Sequence, residues 1–182
     1  MKKKALFGTS VALVVIVSFL LTIMIVNTNK YDFSAKSIDG DVTLSDFSDT
    51  YKIIYFGYTY CPDICPLSLR TLGEALKGVE DEVKLLFISL DPKRDNPQIL
   101  QEYAEFFYPN ALGLWIDDEA LQDVAANYGI TYERTGDSKD YFIAHSSSLF
   151  LFDKDGNLID KINNLTQENI KDSVLYAIKG KR

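Results

Sequence analysis

The chain has few of the residues that bind soft metals or build disulfides. Its 182 residues include two cysteines, one histidine and two methionines. Met1 and Met24 both lie at the N-terminal end, so everything after Asn27 has only Cys61, Cys65 and His145 as sulfur or imidazole donors. Two cysteines cannot make a disulfide framework. A composition of 47% hydrophobic and 25% charged residues gives room for a core without one. A closed structural zinc site takes four nitrogen or sulfur ligands, more than this chain supplies alone. Basic residues are also outnumbered, 19 Lys and Arg against 26 Asp and Glu, for a net charge of -7. That balance argues against nucleic acid, whose binding needs clustered Lys and Arg to displace counterions. There is no internal repeat or low-complexity segment, and the length suits one domain plus an appendage.

The appendage is N-terminal. Lys2, Lys3 and Lys4 precede an uncharged stretch from Ala5 to Val26, and the next charge is Lys30. As a helix at about 1.5 Å per residue this stretch reaches on the order of 30 Å, the thickness of a hydrocarbon core. The lysines predict a cytoplasmic N-terminus with the remainder on the far side. A cleaved signal peptide is the competing reading, but the apolar run is long and no small-x-small cleavage site follows it. The expectation is therefore an uncleaved anchor over residues 1–27 and an external domain over 28–182. In a bacterium this means a single-pass protein of the inner cell membrane with its domain on the extracytoplasmic side.

Beyond the anchor, strands and helices alternate. Tyr31 to Ser37 and Asp41 to Leu44 read as a hairpin around Asp39-Gly40. Lys52 to Phe56 is short, apolar and β-branched or aromatic, the pattern of a central strand. Pro66 predicts a helix from there to Lys77, stopped by Gly78, with Cys65 at or beside its N-cap. Val83 to Leu90 is a second buried strand, and Asn96-Pro97 opens a helix through Phe107. Ala111 to Ile116 is extended, Asp118 caps a helix to Tyr128, and Gly129 closes it. Ile130 to Glu133 is extended, and Arg134 to Asp140 reads as a polar loop. Ser148 to Phe152 and Leu158 to Ile162 form a hairpin around Asp153 to Gly156, and Thr166 caps a last helix to Lys179. This order predicts an α/β sandwich with a mostly parallel centre.

Cys61-Pro-Asp-Ile-Cys65-Pro66 lies where strand gives way to helix. Two thiols there can close a disulfide, attack another disulfide or hold a soft metal. A disulfide over so short a loop removes little chain entropy and is a weak staple. The helix N-terminus favours thiolate, so Cys65 is expected to be the more acidic of the pair. Asp63 reads as a turn residue. Two thiolates and one imidazole suit copper, whereas zinc would need an open position or a partner's ligand. His145 is read in a loop before Ser148 to Phe152, a loop that in such a fold passes close to the helix bearing Cys65. A peroxiredoxin-like peroxidase fits poorly, since Pro62 stands where a Thr is needed three residues before the cysteine. Asp153 to Asn157 resembles the start of a calcium loop but lacks Glu at its twelfth position. Asn164-Leu-Thr166 reads as a chance sequon.

Phe56-Gly-Tyr-Thr-Tyr-Cys-Pro-Asp-Ile-Cys-Pro66 resembles the signature of the SCO/SenC family of cytochrome c oxidase assembly proteins. Ile88 to Asp95 resembles the segment after that family's next strand, and Tyr141 to His145 its histidine segment. The resemblance implies a thioredoxin-like sandwich, a central mixed sheet flanked by helices, beside the N-terminal transmembrane helix. It implies Cu(I) or Cu(II) bound through Cys61, Cys65 and His145, with Asp91 and Asp95 as supporting residues. The implied role is a metallochaperone that helps build the binuclear copper centre of the oxidase. Its partners would then be the copper-bearing oxidase subunit, other copper chaperones and the membrane. The alternative is a thiol–disulfide reductase cycling Cys61 and Cys65. One departure stands out: the family usually has an acidic residue just before the histidine, and here it is Ala144.

Overall fold

A computed structural model describes residues 15–18, 29–137 and 140–180. The chain divides into residues 1–30 and 31–182. In the first unit residues 15–18 are helical, and the Ser18 hydroxyl donates to the Val15 carbonyl at 3.1 Å. Among the described residues no helix is long and apolar enough to cross a membrane. Apart from those four positions, the expected span over Ala5 to Val26 lies outside the described residues.

The second unit is organised around β3 (Tyr51–Gly57), six of whose seven residues are buried. A strand buried on both faces has no polar side to alternate with, which is why this segment is apolar and aromatic throughout. β3 pairs in parallel with β4 (Val83–Ser89), and β4 in parallel with β5 (Ala111–Leu114). On its other edge β3 pairs antiparallel with β8 (Leu149–Phe152), and β8 with β9 (Leu158–Ile162). The sheet order is β5-β4-β3-β8-β9. Two parallel and two antiparallel ladders make the centre mixed rather than mostly parallel, because the closing hairpin adds its strands in the reverse direction.

Helices cover both faces. On one, Tyr128 of α3 (Asp118–Tyr128) packs edge-on against Phe56 and Phe150, with centroids 5.0 and 5.1 Å away. On the other, Tyr103 of α2 (Pro97–Phe107) lies 5.5 Å from Phe87, which in turn stacks on Tyr55. α1 (Ile64–Ala75) buries Cys65, Leu69 and Leu72, and α4 (Gln167–Lys179) buries Ile170 and Val174. The capping side chains fix the helix starts. Asn96 accepts from the Ile99 N–H with Pro97 just inside, and Thr166 accepts from the Asn169 N–H. Asp117, one residue before the expected cap, accepts from the Glu119 and Ala120 N–H groups of α3, and Gly129 ends that helix in the left-handed region at φ 65°.

Three segments differ from the sequence reading. In the first hairpin, β1 (Ser34–Ser37) and β2 (Gly40–Thr43) are registered Ser37 to Gly40, so Ile38-Asp39 forms the two-residue turn. α1 begins at Ile64 rather than Pro66, because the Asp63 carboxylate accepts the Ile64 N–H and acts as the cap. Cys65 is thus inside the first turn. Pro66 is tolerated there because N–H groups of the first turn have no intrahelical acceptor. The expected polar loop after Glu133 is instead strand: β6 (Tyr132–Gly136) pairs antiparallel with β7 (Tyr141–His145) as a separate two-stranded sheet. His145 therefore ends a strand and does not sit in a loop.

Candidate metal centre

The three expected ligands come from different parts of the fold. Cys61 lies in the loop that leaves β3, Cys65 in the first turn of α1 and His145 at the end of β7. Their donor atoms all lie within 4.8 Å of one another. Among the described residues this is the cluster of three His, Cys, Asp or Glu side chains that could hold a metal. Both cysteines are free thiols. Cys65 is fully buried, Cys61 is 9% exposed, and His145 is half-buried. A cleft of about 340 Å³, lined in part by Cys61, Pro62, Ile64, Phe142 and His145, opens the site to solvent. A larger groove of about 740 Å³ between β9 and α4 has a mixed lining of asparagines, carboxylates and apolar side chains such as Ile159 and Leu175, and holds neither thiol nor imidazole.

Gly57 makes room for the buried sulfur. A Cβ there would fall 3.0 Å from the Cys65 Sγ and 2.9 Å from the Phe87 ring. The close approach of strand and thiol therefore needs glycine.

The histidine ring is oriented by its own neighbour. Its Nδ1 lies 3.0 Å from the Ser146 carbonyl oxygen, which can only accept, so Nδ1 carries the proton. That leaves the Nε2 lone pair facing the site, 3.5 Å from the Cys65 Sγ. A second partner that fixes the tautomer in this way is the usual companion of a ligating imidazole.

The acidities of the thiols reverse the sequence expectation. Cys61 is lowered to about 5, first by the hydrogen bond from the Cys65 thiol. Smaller contributions come from the Cys65 and Asp63 N–H groups and the nearby His145, against an opposing effect of burial. The Cys65 N–H reaches the Cys61 Sγ at 3.3 Å. The Cys65 thiol is pushed far up, because it is the donor in that pair and because it is buried. The positive end of α1 thus acts on the residue its first-turn N–H groups point at, which is Cys61, and not on the cysteine inside the turn.

The surrounding residues pin the loop and the hairpin. Asp95 accepts from the Thr59 hydroxyl and N–H and from the Ser89 hydroxyl at 2.6 Å, tying the dithiol loop to the end of β4. Asp91 is fully buried; it accepts from the Tyr141 hydroxyl at 2.6 Å and pairs with Arg94. The Arg94 guanidinium lies over the Tyr141 ring at 3.7 Å and donates to the Tyr141 carbonyl at 3.0 Å. Both aspartates therefore support the site without belonging to the ligand cluster. Tyr58, Arg94 and Tyr141 were not singled out from the sequence. The alternation of buried Tyr141 and Ile143 with exposed Phe142 and Ala144 carries the period of two that marks a strand. Ala144 is on the exposed face of β7, the face away from the Ile143 side chain.

The sequence family SCO1/SenC matches residues 27–178. A SCO2-like protein of Rickettsia conorii is 36% identical over 135 residues, covering 70% of this chain and 66% of the relative. The mitochondrial SCO2 homolog of Bos taurus is 34% identical over 152 residues, covering 79% and 57%. The chain thus spans between about half and two thirds of the length of these curated relatives. Among solved structures, copper-bound ScoI of Arabidopsis thaliana superposes with a TM-score of 0.76 at 32% identity, covering 82% of this chain and 98% of the other. Copper-bound ScoI of Bradyrhizobium japonicum gives 0.71 at 31% identity, covering 80% and 97%. The thioredoxin-like α/β fold is shared with these proteins.

Proposed function

The chain belongs to the SCO1/SenC family, and from that premise we propose that it is a copper-binding protein that assists assembly of cytochrome c oxidase. Copper is its cargo, held by Cys61, Cys65 and His145. The observation that carries this reading is the convergence of two sulfurs and one imidazole nitrogen, from three separate elements, within 4.8 Å. Two thiols suit a soft ion, and the added imidazole suits copper in either oxidation state. A three-donor set is too small for closed structural zinc and leaves the ion open to exchange, as delivery requires. The destination would be the binuclear copper centre of the oxidase, with the copper-bearing subunit and other copper chaperones as partners. The N-terminal apolar stretch would tether the domain to the outer face of the bacterial inner membrane.

The reduced full-length chain, titrated anaerobically with Cu(I), is expected to take up one equivalent. Replacing Cys61 or Cys65 by Ser should remove tight uptake, because each variant loses one of two thiolates. Uptake unchanged in both variants would overturn the reading.

A second reading is favoured by the acidity of the Cys61 thiol, whose pKa is lowered to about 5. A Cys61 thiolate can attack a partner disulfide, forming a mixed disulfide and releasing one partner thiolate. Cys65, on losing its proton, then displaces the second partner sulfur and closes the Cys61–Cys65 bond. Two electrons pass to the partner in this sequence. Reduction of a dicysteine peptide by a chain that takes up no copper would favour this reductase over the copper carrier.

A further inference from the structure

Tyr58 stands between the two halves of the site, and neither reading above assigns it a role. Its ring is 2% exposed and lies edge-on to the His145 imidazole, with centroids 6.1 Å apart. Its hydroxyl oxygen accepts the Ile143 N–H at 3.1 Å. Ile143 is the middle residue of β7, two before His145, and sits opposite Arg134 of β6. Its N–H goes to Tyr58, so a side chain takes the place that a further strand would fill. A buried N–H left without such a partner keeps the full cost of its desolvation. Through its backbone the same residue meets Cys61, whose N–H donates to the Tyr58 carbonyl at 3.3 Å.

This arrangement matters because β7 is not hydrogen-bonded into the five-stranded sheet. The distance between His145 and the thiols depends on side-chain ties across the gap. One tie, Asp91 and Arg94 on Tyr141, holds the start of β7. Tyr58 holds its middle, next to the ligand.

We propose that Tyr58 is a positioning residue of the metal centre, its hydroxyl tying the loop that carries Cys61 to β7 and so fixing how His145 meets the two thiols. The inference rests on the copper-site reading of Cys61, Cys65 and His145. Outer contacts that hold a ligating side chain in place set its orientation and tune the metal. Loss of the hydroxyl should therefore reach the metal through His145.

The test is Tyr58→Phe in the full-length chain, which keeps the ring and removes only the hydroxyl. Amide exchange of the reduced, metal-free chain should speed up at Ile143 while amides of β3 and β4 keep their protection. With Cu(II) bound, the sulfur-to-copper charge-transfer band should shift and broaden, since His145 no longer meets the ion in one fixed position. Copper affinity should fall about tenfold, the size expected for one lost second-sphere contact. Wild-type Ile143 exchange, band position and affinity in Y58F would overturn the proposal. So would loss of protection across β3 and β4, which would make the hydroxyl a determinant of folding instead. His145→Ala serves as the reference: if it binds Cu(II) like the wild type, the copper-site reading itself fails. A weakened H145A beside an unaltered Y58F overturns the role of Tyr58 alone.

Discussion

Replacing His145 by Ala is expected to weaken Cu(II) binding by more than about a hundredfold. Outer partners of metal ligands contribute about 10–100-fold, and a ligand itself contributes more. The loss should be much smaller for Cu(I), because two thiolates already satisfy a soft ion. The physical basis is the ring's fixed orientation: Nδ1 is bound to the Ser146 carbonyl, and Nε2 faces the Cys65 sulfur at 3.5 Å. The variant should keep its fold, since His145 is half-buried at the end of a two-stranded hairpin. Competition titrations with a chelator of known affinity, run separately for the two oxidation states, check the difference. Equal losses for both would mean that the imidazole does not discriminate between them.

The second large effect concerns the metal-free thiols. Cys61, lowered to about 5, is expected to be alkylated by iodoacetamide with a rate that falls off only as pH drops through about 5. An ordinary thiol, near 8.5, would already have lost its thiolate well above that. At pH 6 the thiolate fraction exceeds the ordinary one by about 300-fold. The lower nucleophilicity of an acidic thiolate, with a slope of about 0.4–0.5, returns roughly 40-fold of that. A net advantage on the order of tenfold remains. Cys65 should stay unmodified, because it is fully buried and its thiol is pushed up by donating to Cys61 and by burial. Cys65→Ala removes the largest lowering influence on Cys61, so the inflection should move up towards the ordinary thiol range. Mass spectrometry of the alkylated chain across a pH series reads both the site and the inflection. Preferential labelling of Cys65 would contradict the assigned order.

That order illustrates what the sequence could and could not carry. Elements with strong local determinants were legible: β3 by its continuous apolar run, α2 by Asn96-Pro97, and α4 by Thr166 and Gly180. The candidate cluster of Cys61, Cys65 and His145 was also legible, since the chain beyond Asn27 holds no other sulfur or imidazole. The thiol acidities were not, because they depend first on which thiol donates to the other and then on which sulfur the N–H groups of α1 point at. That in turn depended on the helix starting at Ile64 under an Asp63 cap, not at Pro66. Asp63 is a preferred cap residue and could have signalled the earlier start. The hairpin bearing His145 was half hidden because β6, Tyr132-Glu-Arg-Thr-Gly136, is polar and partly exposed. Without a buried face it shows no apolar alternation. Its partner β7 does show one, and a period-of-two reading of Tyr141, Ile143 and His145 would have placed the histidine on a strand. The ties from Asp91, Arg94 and Tyr58 to β7 join residues far apart in sequence and become visible only once the fold is formed.

The single histidine also makes the central claim directly measurable. Full-length chain grown with ¹⁵N-histidine and loaded with one equivalent of Cu(II) carries its label at one residue only. If Cys61, Cys65 and His145 hold the ion, the nitrogen coupling in the electron spin resonance spectrum should change from the pattern of ¹⁴N to that of ¹⁵N. A coupling unaltered by the label, with copper still bound, would show that the imidazole is not a ligand and would contradict the account.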